Sequence, residues 1–172
     1  GTKALAYIKW GERQFTKADH IAYPEAPSVQ GRKNWYSVPA NEVNDFLMLR
    51  FRDKRHYTPI NPDNCSVGDV VFVGAFHDKR YKDVGLAYLN SVLVALFMEI
   101  SGRTNLGDGL LTTYGPEINE LFVPKPNACS DITAVKAAFK KLKTQRILNF
   151  DQEVKKTARI RFEEAMFDAL GL

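Results

Sequence analysis

Cysteine is scarce in this 172-residue chain: Cys65 and Cys129 are the only two. Two thiols so far apart provide neither a disulfide framework nor a zinc cluster, and they fit a reduced, cytoplasmic setting. Histidine is almost as sparse. His20, His56 and His77 fall in loop-like segments without metal-ligand spacing, so no metal is expected. No basic stretch followed by an apolar run opens the chain, so no signal peptide is read. A long uninterrupted hydrophobic run is also missing. The longest, Val84 to Ile100, is broken by Tyr88, Asn90, Ser91 and Glu99, which suits a buried helix better than a membrane span. Gly107-Asp108-Gly109 lacks a third glycine and a preceding strand, and so reads as a turn in which a glycine takes positive φ or approaches a neighbour closely.

Hydrophobic residues make up 45% of the chain and charged residues 26%, enough for one full core with a helical appendage. The formal net charge is +4, and its placement says more than its size. Arg50, Arg52, Lys54 and Arg55 crowd together against a single acid, Asp53. Arg32 and Lys33 stand beside Trp35 and Tyr36. These residues, with Tyr36, Arg103 and Asn105, are the candidate contacts to an acidic partner, because cations neutralise phosphates while planar groups stack or fill grooves. From Cys129 to Arg161 nine Lys or Arg face three acids, but helix-borne charge of this kind serves equally well as a solvated face. Glu163-Glu164 reads as such a face too, and Trp35 is as readily a core residue as a contact.

The pattern predicts an α+β fold. Up to about Ile60, short strands and loops are expected from the many aromatics and turn residues. Asn41 to Arg52 suits a short helix or a strand. Asp69 to Phe76 (DVVFVGAF) is a strand by its β-branched content. Lys82 to Ser101, apolar nearly all round, is read as one buried helix stopped by Gly102. Leu110 to Tyr114 and Ile118 to Val123 are read as strands in the same small mixed or antiparallel sheet. Ser130 or Asp131 caps the first of two amphipathic C-terminal helices, the second running from Ile147 to Ala169. Residues 1–128 are then an α+β domain, and residues 129–172 a helical extension packed on it.

Three stretches together carry a resemblance: GRKNWYSVP from Gly31, YLNSVLVALFMEISGRTNLGDGLLTTYGPEINELFVPKP from Tyr88, and RFEEAMFDALGL from Arg161. In order and spacing they resemble the C-terminal region of adenine-specific (N6) DNA methyltransferases of restriction-modification systems. The resemblance implies a target-recognition region that grips double-stranded DNA opposite the catalytic domain of the same parent chain, with no membrane partner. It implies that S-adenosylmethionine is bound in that parent domain, because the motifs for cofactor and catalysis lie upstream of Gly1 in the family. Neither motif occurs here. Asn61-Pro62-Asp63-Asn64 lacks the second proline and the aromatic of a methyltransferase catalytic loop, and is the kind of turn these residues favour. No catalytic, cofactor or metal residue is therefore assigned. Two rival readings are a separate DNA-specificity subunit and a protein-interaction or small-ligand module whose basic residues only solvate it.

Overall fold

The computed structural model describes residues 2–37, 44–63, 65–104 and 109–172. It is an α+β protein, as the composition and periodicity suggest, and it divides into two compact units, Gly1–Asn41 and Glu42–Leu172.

The smaller unit opens with a helix, α1 (Lys3–Gly11), where strands and loops were expected. The Thr2 hydroxyl accepts from the Leu5 amide and caps it. Two single turns of 3-10 helix follow, Tyr23–Glu25 and Pro27–Val29, each with proline in its first turn. What holds this unit together is aromatic. Trp35 stands 6.5 Å from Tyr7, 6.4 Å from Tyr23 and, edge-on, 5.8 Å from Tyr36, while Tyr7 stacks on Trp10 at 5.5 Å. Gly11 is needed here for close approach, since a Cβ at that position would strike the Trp35 ring.

In the larger unit the expected single sheet is two antiparallel pairs. β1 (Phe46–Leu49) pairs with β3 (Val71–Gly74), Phe46 opposite Gly74 and Leu49 opposite Val71; β2 (Phe51–Arg52) pairs with β4 (Leu111–Thr112). Of the segment left open between helix and strand, the described residues carry β1 and β2. Asp45 fastens its start. Buried to 5% exposure, it accepts from the Phe76 amide and pairs with Lys79 at 2.6 Å and Lys82 at 3.0 Å. Those cations and the amide hold its carboxyl down at about 2 against the burial that opposes them.

The buried helix is two helices, α2 (Lys82–Leu89) and α3 (Val92–Ser101), with a bend of 67° between them. The break lies at Asn90-Ser91. Asn90 Nδ2 donates to the carbonyls of Leu86 and Thr58, and its Oδ1 accepts the Thr58 amide at 2.9 Å, so the side chain competes with the helix for its own backbone. Gly102 does follow the end of α3, but at φ −69°, without the left-handed turn of a glycine stop. Gly109, by contrast, has φ +72°, whereas Gly107 lies outside the described residues.

The stretch read as a strand at Ile118 to Val123 is instead entered by a helix, α4 (Gly115–Asn119). Pro116 presets its first turn, and the Glu117 carboxylate accepts the Tyr114 amide at 2.8 Å. Asp131 caps α5 (Ile132–Leu142) by accepting from Ala134. The second tail helix is also divided, into the short α6 (Phe150–Glu153) and α7 (Thr157–Leu170). The Ser130 amide donates to Ala169 O at 2.8 Å, which sets the start of α5 at the end of α7. Met48, Val94, Met98, Leu111, Val135 and Phe162 share one core, so the tail helices and the strands close around the same apolar centre.

Candidate functional site

The basic residues singled out in the sequence separate into four settings. Arg32, Lys33 and Tyr36 are exposed in the smaller unit, Arg32 Nη1 donating to Ser37 O at 3.1 Å. Lys54 and Arg55 are exposed in the larger unit beside the start of α6: the Phe150 amide donates to Lys54 O, and Arg55 Nε reaches Asn149 Oδ1 at 3.4 Å. Arg52 is withdrawn from the surface, at 5% exposure, and donates to Thr113 Oγ1 at 3.0 Å. Burial brings its guanidinium down to about 10. Asn105 lies outside the described residues.

The fourth setting brings together residues that the sequence holds 53 positions apart, Arg50 and Arg103. The β2–β4 ladder causes it. The Thr113 amide donates to Arg50 O, and Arg103 and Thr112 exchange both backbone hydrogen bonds at 2.8 Å, so three chain segments lie side by side. Tyr114, two residues past β4 and just ahead of α4, carries both guanidiniums: Arg50 Cζ lies 4.5 Å and Arg103 Cζ 5.1 Å from its ring centroid. Such stacking fixes a cation without neutralising it. Arg103 is further anchored by Glu117, whose Oε1 accepts its Nε at 2.8 Å while Oε2 holds the Tyr114 amide. Arg103 and the two backbone contacts hold the Glu117 carboxyl below its usual range despite its burial. Arg50 has no carboxylate partner among the described residues, and its Nε meets no hydrogen-bond acceptor. The pair of arginines therefore carries net positive charge on an aromatic support, with Arg50 Nε buried beneath it. Tyr114 and Glu117 are the members of this site that sequence reading missed. The aromatic just ahead of Gly115-Pro116-Glu117, a helix-start signature, was the available signal.

Two tail residues prove structural. Arg159 and Glu163, at 6% and 8% exposure, are not parts of a solvated face. Arg159 donates to Asn90 O at 2.7 Å and pairs with Glu153 at 3.2 Å and Glu163 at 3.0 Å. The Glu163 carboxylate, raised by burial, accepts the Val92 amide through both oxygens. These contacts satisfy backbone groups exposed where α2 gives way to α3. Close by, α2, α5 and residues 56–60 enclose a pocket of about 590 Å³, with Leu86, Phe139 and Ile147 among its walls and Lys140 and Lys143 at its rim.

Among the described residues no group of three or more His, Cys, Asp or Glu could hold a metal, and no single helix is long and apolar enough to cross a membrane. Residues 2–155 match the family model of the C-terminal domain of the type II methyltransferase M.Eco57I. The chain belongs to that family. No curated protein and no solved structure matches it.

Proposed function

We propose that this chain reads double-stranded DNA as the target-recognition part of an adenine-N6 DNA methyltransferase in a restriction-modification system. In that reading S-adenosylmethionine and the reacting adenine are held by the catalytic domain of the same parent protein. The observation that carries it is the Arg50–Tyr114–Arg103 cluster. Two guanidiniums are oriented by one ring, and one of them, Arg50, has no carboxylate partner among the described residues. An arginine so placed has donors free for a phosphate or for the O6 and N7 edge of guanine. Membership of the methyltransferase C-terminal family supports the same reading, as does the resemblance of the three quoted stretches to adenine-specific enzymes.

The test is a salt titration of duplex binding by the 172-residue chain and by its Arg50→Ala and Arg103→Ala variants. If both contact phosphates, each loss lowers the log-log salt slope by about one. If Arg50 reads a base, its loss costs about 1–3 kcal/mol on the preferred sequence and little on others. A double variant that binds every duplex with unchanged affinity and slope rules this surface out.

A further inference from the structure

The pocket enclosed by α2, α5 and residues 56–60 has an apolar interior and a cationic mouth. Its volume, about 590 Å³, lies in the range of small-molecule sites. Leu86 and Leu142 are buried in its wall, whereas Ile60 and Ile147 are exposed on it. Polar side chains reach the pocket too, but the fold already uses them. Asn90 gives its amide hydrogens to the Leu86 and Thr58 carbonyls, the Thr58 hydroxyl and His56 Nε2 meet Leu89 O, and Glu153 pairs with Arg159. A ligand rich in heteroatoms, such as a nucleotide or a sugar, would therefore leave its own polar groups unpaired there.

The mouth is different. Lys136, Lys140 and Lys143 follow one another at helical spacing on one side of α5 and its end, and all three are exposed. Exposed Asp83 pairs with Lys136 at 3.4 Å. Lys140 and Lys143 have no carboxylate partner among the described residues, and Lys143 Nζ lies 5.9 Å from the centroid of the Phe139 ring in the pocket wall. No other lining group offsets them. His56 is neutral, and Glu153 with Glu163 is matched by Lys156 and Arg159.

We propose that this pocket binds a small amphiphilic carboxylate, its apolar body along Leu86, Phe139 and Ile147 and its head at Lys140 and Lys143. Burial of the body supplies the affinity, and the two ammoniums select a negative head over a neutral one. The site shares no residue with the Arg50–Tyr114–Arg103 cluster, so it stands or falls without the DNA-reading surface proposed above.

Octanoate titrated into the 172-residue chain at millimolar concentration should saturate one site by calorimetry, with amide chemical shifts centred on α5 and residues 56–60. Acetate, which keeps only the head, should show no saturable binding. The variant Lys140→Gln/Lys143→Gln, changed at exposed positions only, should keep its Tm and bind octanoate about threefold to tenfold more weakly, as expected for two exposed ion pairs. Octan-1-ol, which keeps the chain without the charge, should be weaker than octanoate by a similar factor. Ile147→Trp should fill the pocket and abolish the complex. Absence of saturable binding, shifts centred on another surface, or an unchanged octanoate affinity in the lysine variant overturns the proposal. So does octan-1-ol bound as tightly as octanoate, or adenosine 5′-monophosphate taken up in the pocket in preference to it.

Discussion

His56 shows at the scale of one residue how far a fold can move a side chain from its solution chemistry. Burial, then the positive field of Arg52 and Arg159, bring its ring down to about 4, against the small opposing effect of its contact with Leu89 O at 3.2 Å. Because the folded value lies below the unfolded value of about 6.5, the unfolded chain takes up the proton first. The stability linked to neutral His56 is thus fully present above pH 6.5 and is lost as pH falls toward 4. The whole effect is of order 3 kcal/mol. Tm measured from pH 7.5 to 4 should fall through this window, and His56→Gln should flatten that part of the curve. A His56→Gln profile parallel to the parent would show that other groups carry the loss. The sequence reads this histidine as structural, in a loop-like segment without metal-ligand spacing. Its depth was not legible, because burial depends on Leu89 and Arg159, residues 33 and 103 positions further on.

Elements were legible where local chemistry decides them and misread where a distant side chain does. Asp131 and the β-branched run at Val71 signal α5 and β3 by themselves. The break at Asn90-Ser91 does not, since the apolar pattern continues through it and its reason lies in Thr58, Arg159 and Glu163. Asn90→Ala should therefore be costly. It leaves the amide and carbonyl of Thr58 without their side-chain partner, and a stability loss of about 2–4 kcal/mol is expected from denaturant midpoints. If the bend merely accommodated a weak helix, the same change would stabilise the protein by restoring helix propensity. α4 failed for a different reason: apolar residues bounded by prolines resemble a strand, and the Pro-Glu start signal of the helix was read as punctuation. For the tail, Phe162 is fully buried against Phe139, their rings 5.5 Å apart. Phe162→Ala should cost about 3–5 kcal/mol, and far-UV circular dichroism should show α5 and α7 lost together with the strands, because they share one core.

At the scale of the whole molecule, the sequence sorted basic residues by proximity along the chain, and folding sorts them by strand pairing. Arg50 to Arg55 look like one cluster. Arg50, at the bend just ahead of β2, lies over Tyr114, Arg52 at the end of β2 is buried, and Lys54 and Arg55 reach the start of α6. Arg32, Lys33 and Tyr36 belong to the other compact unit. This division makes the two groups separable by experiment. Residues 42–172 contain the shared core from Met48 to Ala169 and the Arg50–Tyr114–Arg103 cluster, whereas the smaller unit rests on its own aromatic packing. A chain of residues 42–172 should therefore unfold in one cooperative transition and keep most of its salt-dependent affinity for duplex DNA. The variant Arg32→Ala/Lys33→Ala in the full chain should lower the salt slope by no more than about two, the number of charges removed. If the shortened chain folds with a sharp transition but no longer binds duplexes, while Arg50→Ala in the full chain binds normally, then Arg32, Lys33 and Tyr36 form the DNA-facing surface. The guanidinium pair on Tyr114 is then a structural clasp between β2, β4 and Arg103.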